Sequence, residues 1–312
     1  MNMQDTKKIA VAIPCYNEAL TIAKVVSDFR RVLPNASIYV FDNNSNDGSA
    51  MLAKEAGAIV YHVRKQGKGN VMRAIFNTIS ADAVIVVDGD DTYEADDALI
   101  LLKPVLNNEA DMVVGNRLPN ATNDSLRKLH QIGNRLIVAS INRMFDTNYH
   151  DILSGYRVFS RRFIDSVPLL KPGFETETEI TLQALENGLE VIEIPISYRS
   201  RPAGSQSKLR SFRDGFRIML TAFVILRDHN PMRLFGFTSL LCFFTVFIAA
   251  FLRVMNYLNI TELPSQILTG VMLLFLPVGT IAFGIGIILS SINSRFKEIR
   301  YLITRNRQNN NV

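Results

Sequence analysis

Two stretches of this 312-residue chain carry no charge over the width of a bilayer. Leu234 to Leu252 reads LFGFTSLLCFFTVFIAAFL, 19 residues. At about 1.5 Å per residue it spans roughly 28 Å, against a hydrocarbon core of roughly 30 Å. Ile267 to Ile292 is a second such run of 26 residues, long enough to cross with tilt. Its Gly270, Gly279, Gly284 and Gly286 are tolerable in lipid and allow close helix contact. The alternative, a pair of buried core helices, asks for lengths beyond an ordinary globular helix. The sequence predicts two transmembrane helices, 234–252 and 267–292, in a membrane segment 234–292.

The charges are arranged around these runs. Residues 1–200 hold 21 basic and 25 acidic side chains. Residues 201–233 hold seven basic side chains against Asp214 and Asp228, and 293–312 hold five against Glu298. The net +5 therefore belongs to the segments beside the spans. That is poor evidence for nucleic-acid binding, which needs a basic face on a folded domain, and it suits an anionic lipid surface. Only Arg253 is basic in the link between the spans. The positive-inside rule then places both ends in the cytoplasm of a multi-pass protein of the inner (plasma) membrane. No hydrophobic run near the N-terminus reads as a signal peptide. Cys15 and Cys242 are too few for a disulfide framework or a zinc site. Between the domain and the first span, Lys208 to Arg227 repeats apolar residues at steps of three and four. It predicts an amphipathic helix in the membrane interface, the alternative being a third core helix.

Residues 1–200 alternate short apolar runs with helical patterns. Ile9–Ile13, Ile38–Phe41, Ala58–Val63, Ala83–Val87 and Met112–Val114 read as strands buried on both faces. Glu18–Val32, Ser49–Ala56, Lys68–Ile79 and Glu94–Leu106 read as helices. This predicts an α/β domain with a mostly parallel, Rossmann-like sheet, whose ligands sit beyond the carboxyl ends of the strands. The first strand is followed by Pro14-Cys15-Tyr16-Asn17-Glu18, the second by Asp42 to Gly48, the fourth by Asp88-Gly89-Asp90. Neither GxGxxG nor GxxxxGK[ST] occurs, so dinucleotide and P-loop readings lose their support. Gly67-Lys68-Gly69 reads as a strand-to-helix turn, with a direct phosphate contact as the alternative.

Asp88 and Asp90 carry the most chemistry. Two carboxylates two residues apart at a strand end can converge on a hard divalent cation, Mg²⁺ or Mn²⁺, that completes its shell with substrate phosphates. The alternative is a solvated acidic turn. The full set of motifs resembles family 2 glycosyltransferases of the GT-A type: Pro14-x-Tyr-Asn-Glu18, Asp42…Ser45-x-Asp47-Gly48 and Asp88-x-Asp90. Asp151-Ile-Leu-Ser-Gly-Tyr-Arg157, Gly173 to Glu179 and Arg201 to Lys208 resemble its polyprenyl-phosphate branch, which includes dolichol-phosphate mannose synthase and GtrB-type enzymes. The resemblance covers residues 8 to about 230. It implies that Pro14, Tyr16, Glu18 and Asp42 line the nucleotide-sugar site, with Asp42 near the base, and that Asp88 and Asp90 hold the metal beside the diphosphate. Some relatives place a Gln two residues beyond the second Asp; here that position is Thr92, which leaves the third metal ligand open. Asp47 reads as a helix cap or turn residue.

The resemblance implies transfer of a hexose from a nucleotide-sugar, UDP-linked by preference, to a polyprenyl phosphate. Such a phosphate is already an anion and needs little help from a base; bringing two anions together needs positive charge. Arg117, Arg157, Arg201 and Lys208 are the acceptor-phosphate residues by this reading, with Arg157 also catalytic. A structural ion pair is the alternative for the arginines, and a snorkelling side chain for Lys208. Direct displacement would invert the anomeric centre. Glu177 and Glu179 are sugar or base contacts by resemblance, or else a solvated helix start. The product would supply cell-envelope glycan modification through a downstream flippase or glycosyltransferase, and small-residue helix faces favour a homo-oligomer. Two rivals fit less well. A processive polysaccharide synthase needs a Gln-x-x-Arg-Trp motif, and the chain has no tryptophan. A catalytically silent scaffold or sensor has no need of the Asp88–Asp90 pair.

Overall fold

Runs of Val, Ile and Ala build the centre of the first unit. In the computed structural model, which describes residues 7–117, 138–139, 141–143, 145–168, 176–202, 224, 227, 231–258, 260 and 264–309, they form a seven-stranded sheet. Its strands are β1 (Ile9–Cys15), β2 (Ser37–Asp42), β3 (Ile59–His62), β4 (Ala83–Val86), β5 (Met112–Asn116), β6 (Arg157–Ser160) and β7 (Val191–Pro195). Their order is β3-β2-β1-β4-β6-β5-β7. All pairings are parallel except those of β6, which lies antiparallel between β4 and β5. Of the helices, α1 (Ile22–Val32) and α4 (Ala98–Leu106) pack on one face. Helices α3 (Lys68–Thr78), α5 (Arg161–Ser166) and α6 (Thr176–Glu186) pack on the other, and α2 (Ser49–Glu55) follows β2. Both sheet faces are therefore buried, as strands of continuous apolar residues require.

The five predicted strands are present, with differences that have physical causes. β3 is an edge strand, so Ile59 and Tyr61 are exposed rather than buried on both faces. α1 begins at Ile22 and not at Glu18, because residues 17–19 are spent on the β2 loop. The N–H of Asn17 donates to Ser45 Oγ at 2.9 Å, that of Glu18 to Ser49 Oγ at 2.8 Å, and that of Ala19 to Asp47 Oδ2 at 3.0 Å. β6 and β7 were not foreseen. β6 has four residues and opens on an arginine, and β7 ends in Pro195 at the sheet edge, where a missing donor is tolerated.

The chain divides into two units, Met1–Ile218 and Met219–Val312. The second holds α7 (Pro231–Tyr257) and α8 (Ser265–Asn309), both long and apolar enough to cross a membrane. They pack closely where glycine allows it. A Cβ on Gly279 would lie 2.9 Å from Cys242 Cβ, and one on Gly286 3.1 Å from Phe235 Cβ. Their outer faces expose Phe237, Leu240, Phe247 and Leu273, an arrangement that needs an apolar solvent. α8 does not stop at Ile292: it continues to Asn309 through the basic segment. The predicted interfacial helix 208–227 lies outside the described residues apart from Val224 and Arg227, both helical.

Candidate active site

Five strands, β1 to β5, deliver polar groups to one edge of the sheet. β1 and β2 run parallel, so the loops after them meet. Asp47 holds them together, its Oδ1 accepting from Ser49 N–H at 3.0 Å as well as from Ser49 Oγ, and its Oδ2 from Ala19. Burial pushes its carboxyl up, but those donors outweigh it and hold it below the usual carboxylate range. Asp47 is thus a turn residue, as its sequence position suggests. Asp42, at the end of β2, is buried and meets His62 Nδ1 at 3.2 Å and Ser45 N–H at 3.3 Å. Pro14 is the next-to-last residue of β1, in register with Phe41, and Cys15 closes the strand beside Asp42; Glu18 is buried, and Tyr16 is exposed.

The Asp88–Asp90 turn follows β4. Thr21 Oγ1 donates to Gly89 O at 2.6 Å and fixes its apex. Lys68 Nζ, at the start of α3, donates to Asp88 Oδ1 at 2.8 Å and reaches Glu177 Oε1 at 2.6 Å. Arg201 Nη2 lies 2.5 Å from Asp90 Oδ2, and Thr92 Oγ1 donates to Asp90 Oδ1 at 2.7 Å. Burial pushes Asp88 up, but Lys68, with Arg117 and Arg201 further off, holds it below the usual carboxylate range. Asp90 is pushed up by burial and then by the charge of Asp88. Two carboxylates close enough to repel fit a hard dication that takes its other ligands from water and phosphate. The position two residues beyond Asp90 holds an orienting hydroxyl: Thr92 points at the carboxylate.

The predicted basic residues occupy different settings. Arg201 is at the acidic turn. Arg117, following β5, forms a two-point ion pair with buried Asp151, Nε to Oδ2 at 2.7 Å and Nη2 to Oδ1 at 2.9 Å. Arg157 is 2% exposed. Its Nε donates to Ser154 O at 2.9 Å, its Nη1 to Thr181 Oγ1 at 3.0 Å and its Nη2 to Ile152 O. Burial lowers its pKa to about 10. In place of an open phosphate contact, Arg157 is an interior tie between the 152–154 loop and α6. Lys208 lies outside the described residues. Glu177 and Glu179 are buried, which removes the solvated helix start as an account of them.

Three contributors escaped the sequence reading. Lys68 sits at the carboxyl edge after β3, where the sequence suggests a strand-to-helix turn or a direct phosphate contact and not a bridge between two carboxylates. Gly155 is needed because a Cβ there would lie 2.2 Å from Asp88 Oδ2. Tyr93 accepts the Gly155 N–H at 3.1 Å through its hydroxyl and so holds the glycine against the turn.

Residues 10–167 match the family described as Glycosyl transferase family 2. The chain belongs to glycosyl transferase family 2. Over 229 residues this family 2 member is 37% identical to glycosyltransferase AglJ of Haloferax volcanii, covering 73% of this chain and 75% of that one. Over 210 residues it is 25% identical to the dolichyl-phosphate hexose transferase of the same organism, covering 67% and 90%. Among solved structures, a crystal structure of glucosyl-3-phosphoglycerate synthase from Mycobacterium tuberculosis, in complex with Mn²⁺, UDP-glucose and glycerol 3-phosphate, superposes with a TM-score of 0.55. The identity is 20%, covering 70% of this chain and 81% of that one. The mixed, mostly parallel sheet of this glycosyltransferase is the GT-A fold that the resemblance implied, followed by two long apolar helices.

Proposed function

We propose that the protein transfers a hexose from a nucleotide-sugar, preferably UDP-linked, to the phosphate of a polyprenyl lipid with inversion at the anomeric carbon. The observation that carries this reading is the meeting of Asp88 and Asp90 with Lys68 and Arg201 at the carboxyl edge of the sheet, with Arg117 near enough to act on Asp88. The dolichyl-phosphate relative supports the acceptor class, and the Mn²⁺–UDP-glucose neighbour supports the donor class and a divalent cation.

Asp88 and Asp90 would hold Mg²⁺ or Mn²⁺. When bound, the cation offsets the negative charge that builds on the departing diphosphate. Thr92 and the Gly89 backbone keep the carboxylates aimed before substrate arrives, so little reorganisation remains for the reaction. Pro14, Tyr16, Glu18 and Asp42 line the nucleoside end of the cleft in this reading. Lys68 and Arg201 lower the cost of bringing a second anion to this edge. Arg117 offers hydrogen bonds to the acceptor phosphate, and Lys208 adds a point charge. Arg157 supports the floor of the site. A phosphate monoester attacks without surrendering a proton, so Glu177 serves here as the partner of Lys68 and needs no role as base.

The two apolar helices make this a membrane-anchored enzyme in our reading, with its catalytic unit and both ends on the cytoplasmic side of the inner (plasma) membrane. The direct test offers a panel of radiolabelled nucleotide-sugars with one polyprenyl phosphate and Mg²⁺ or Mn²⁺. Label passing into the organic phase with one donor supports the reading. No lipid-linked label with any donor refutes it.

A further inference from the structure

A guanidinium can present two bidentate edges, one formed by Nε and a terminal nitrogen, the other by the two terminal nitrogens. In Arg117 the first is occupied by Asp151, and the Arg117 N–H also donates to Asp151 Oδ2 at 3.2 Å. Among the described residues no acceptor engages Nη1. Asp151 is itself anchored. Its N–H donates to Glu193 Oε1 at 2.8 Å, and the N–H of His150 donates to Glu193 Oε2 at 2.8 Å. Glu193 lies on β7, paired in register with Val114 of β5, so the support closes through the sheet on which Arg117 is mounted. The Tyr198 ring lies 5.5 Å from the guanidinium carbon and limits its swing.

We infer that Asp151 is a positioning residue, which takes one edge of Arg117 and leaves the other fixed for the oxygens of a phosphate monoester. This rests on the reading of Arg117 as an acceptor contact. The pair is close to neutral, so what it supplies is direction more than charge. That gives the inference a sign. Asp151→Asn frees the positive charge of Arg117 and releases its orientation. If charge governs, binding of the anion tightens; if orientation governs, it weakens.

The experiment measures binding of undecaprenyl phosphate to the full-length protein in detergent micelles, with binding of UDP in the presence of Mn²⁺ followed in parallel. Asp151→Asn is expected to weaken lipid binding about tenfold, the scale of a bidentate contact to a charged group, with UDP binding within about twofold of the parent. Glu193→Gln loosens the anchor and leaves the ion pair intact; it is expected to weaken lipid binding in the same direction, and it replaces Asp151→Asn as the deciding variant if that protein no longer binds UDP. Unchanged or tighter lipid binding in the deciding variant, with Arg117→Ala still impaired, overturns the positioning role. Unchanged binding in Arg117→Ala overturns instead the acceptor reading on which it stands.

Discussion

Asp90 depends on two neighbours that do different things. Thr92 orients one oxygen, and Arg201 neutralises the other. In Asp90→Asn the threonine hydroxyl still finds an acceptor, so the fold should persist, but one of the two charges proposed to hold the cation is gone. Transfer is expected to fall about 100-fold or more, and titration should show weakened Mn²⁺ binding; a variant with full transfer contradicts the site. Gly155 makes a sharper demand. A methyl group there would lie inside contact distance of Asp88 Oδ2. Gly155→Ala should cost about 1–3 kcal/mol of stability, read by thermal unfolding, and should reduce transfer at least about tenfold because Asp88 must move. The acidic turn was legible because Asp88-x-Asp90 follows a strand of Ala, Val and Ile. Lys68 was not, since a lysine beside two glycines gives the same local pattern whether it faces solvent or spans two carboxylates. Only the packing of α3 against α6 decides between them.

At the level of elements, the parallel half of the sheet could be read from strands that are apolar throughout. The reversal at β6 could not. Its four residues begin with an arginine whose polar atoms are all satisfied inside the protein, and no local pattern announces a buried guanidinium. That same arginine joins the 152–154 loop to α6. Thr181→Val keeps the volume of the side chain but strips Arg157 Nη1 of its oxygen partner. The expected loss is about 1–3 kcal/mol, measured by chemical denaturation, with a larger fall in transfer than in nucleotide affinity if α6 shifts Glu177 away from Lys68. Equal stability of the variant and the parent would remove Arg157 as a tie. Asp47 shows the opposite case: its role in the turn was apparent from Ser45-x-Asp47-Gly48 alone.

For the whole molecule, the division of charge proved more informative than its total. The domain before residue 200 is mildly acidic, and the cations gather beside two apolar helices whose outer faces are exposed. Such faces cannot be kept in water, so the full-length protein should remain in the membrane pellet after alkaline carbonate and after high salt, and should enter solution with detergent. Release by salt alone would mean attachment through charge and not through the spans. The exact end of the second helix was not readable, because the loss of apolar residues after Ile292 looks like the end of a span and the beginning of a tail. Instead α8 stays helical from Ser265 to Asn309, a contour of about 68 Å at helical rise and roughly twice the hydrocarbon thickness. Beyond Pro277 the helix passes through Ile292 without a break, so the rotation of the segment after Ile292 is tied to that of the apolar run before it. One residue inserted near Ile292 would turn the helix backbone beyond it by about 100° relative to the apolar run before it.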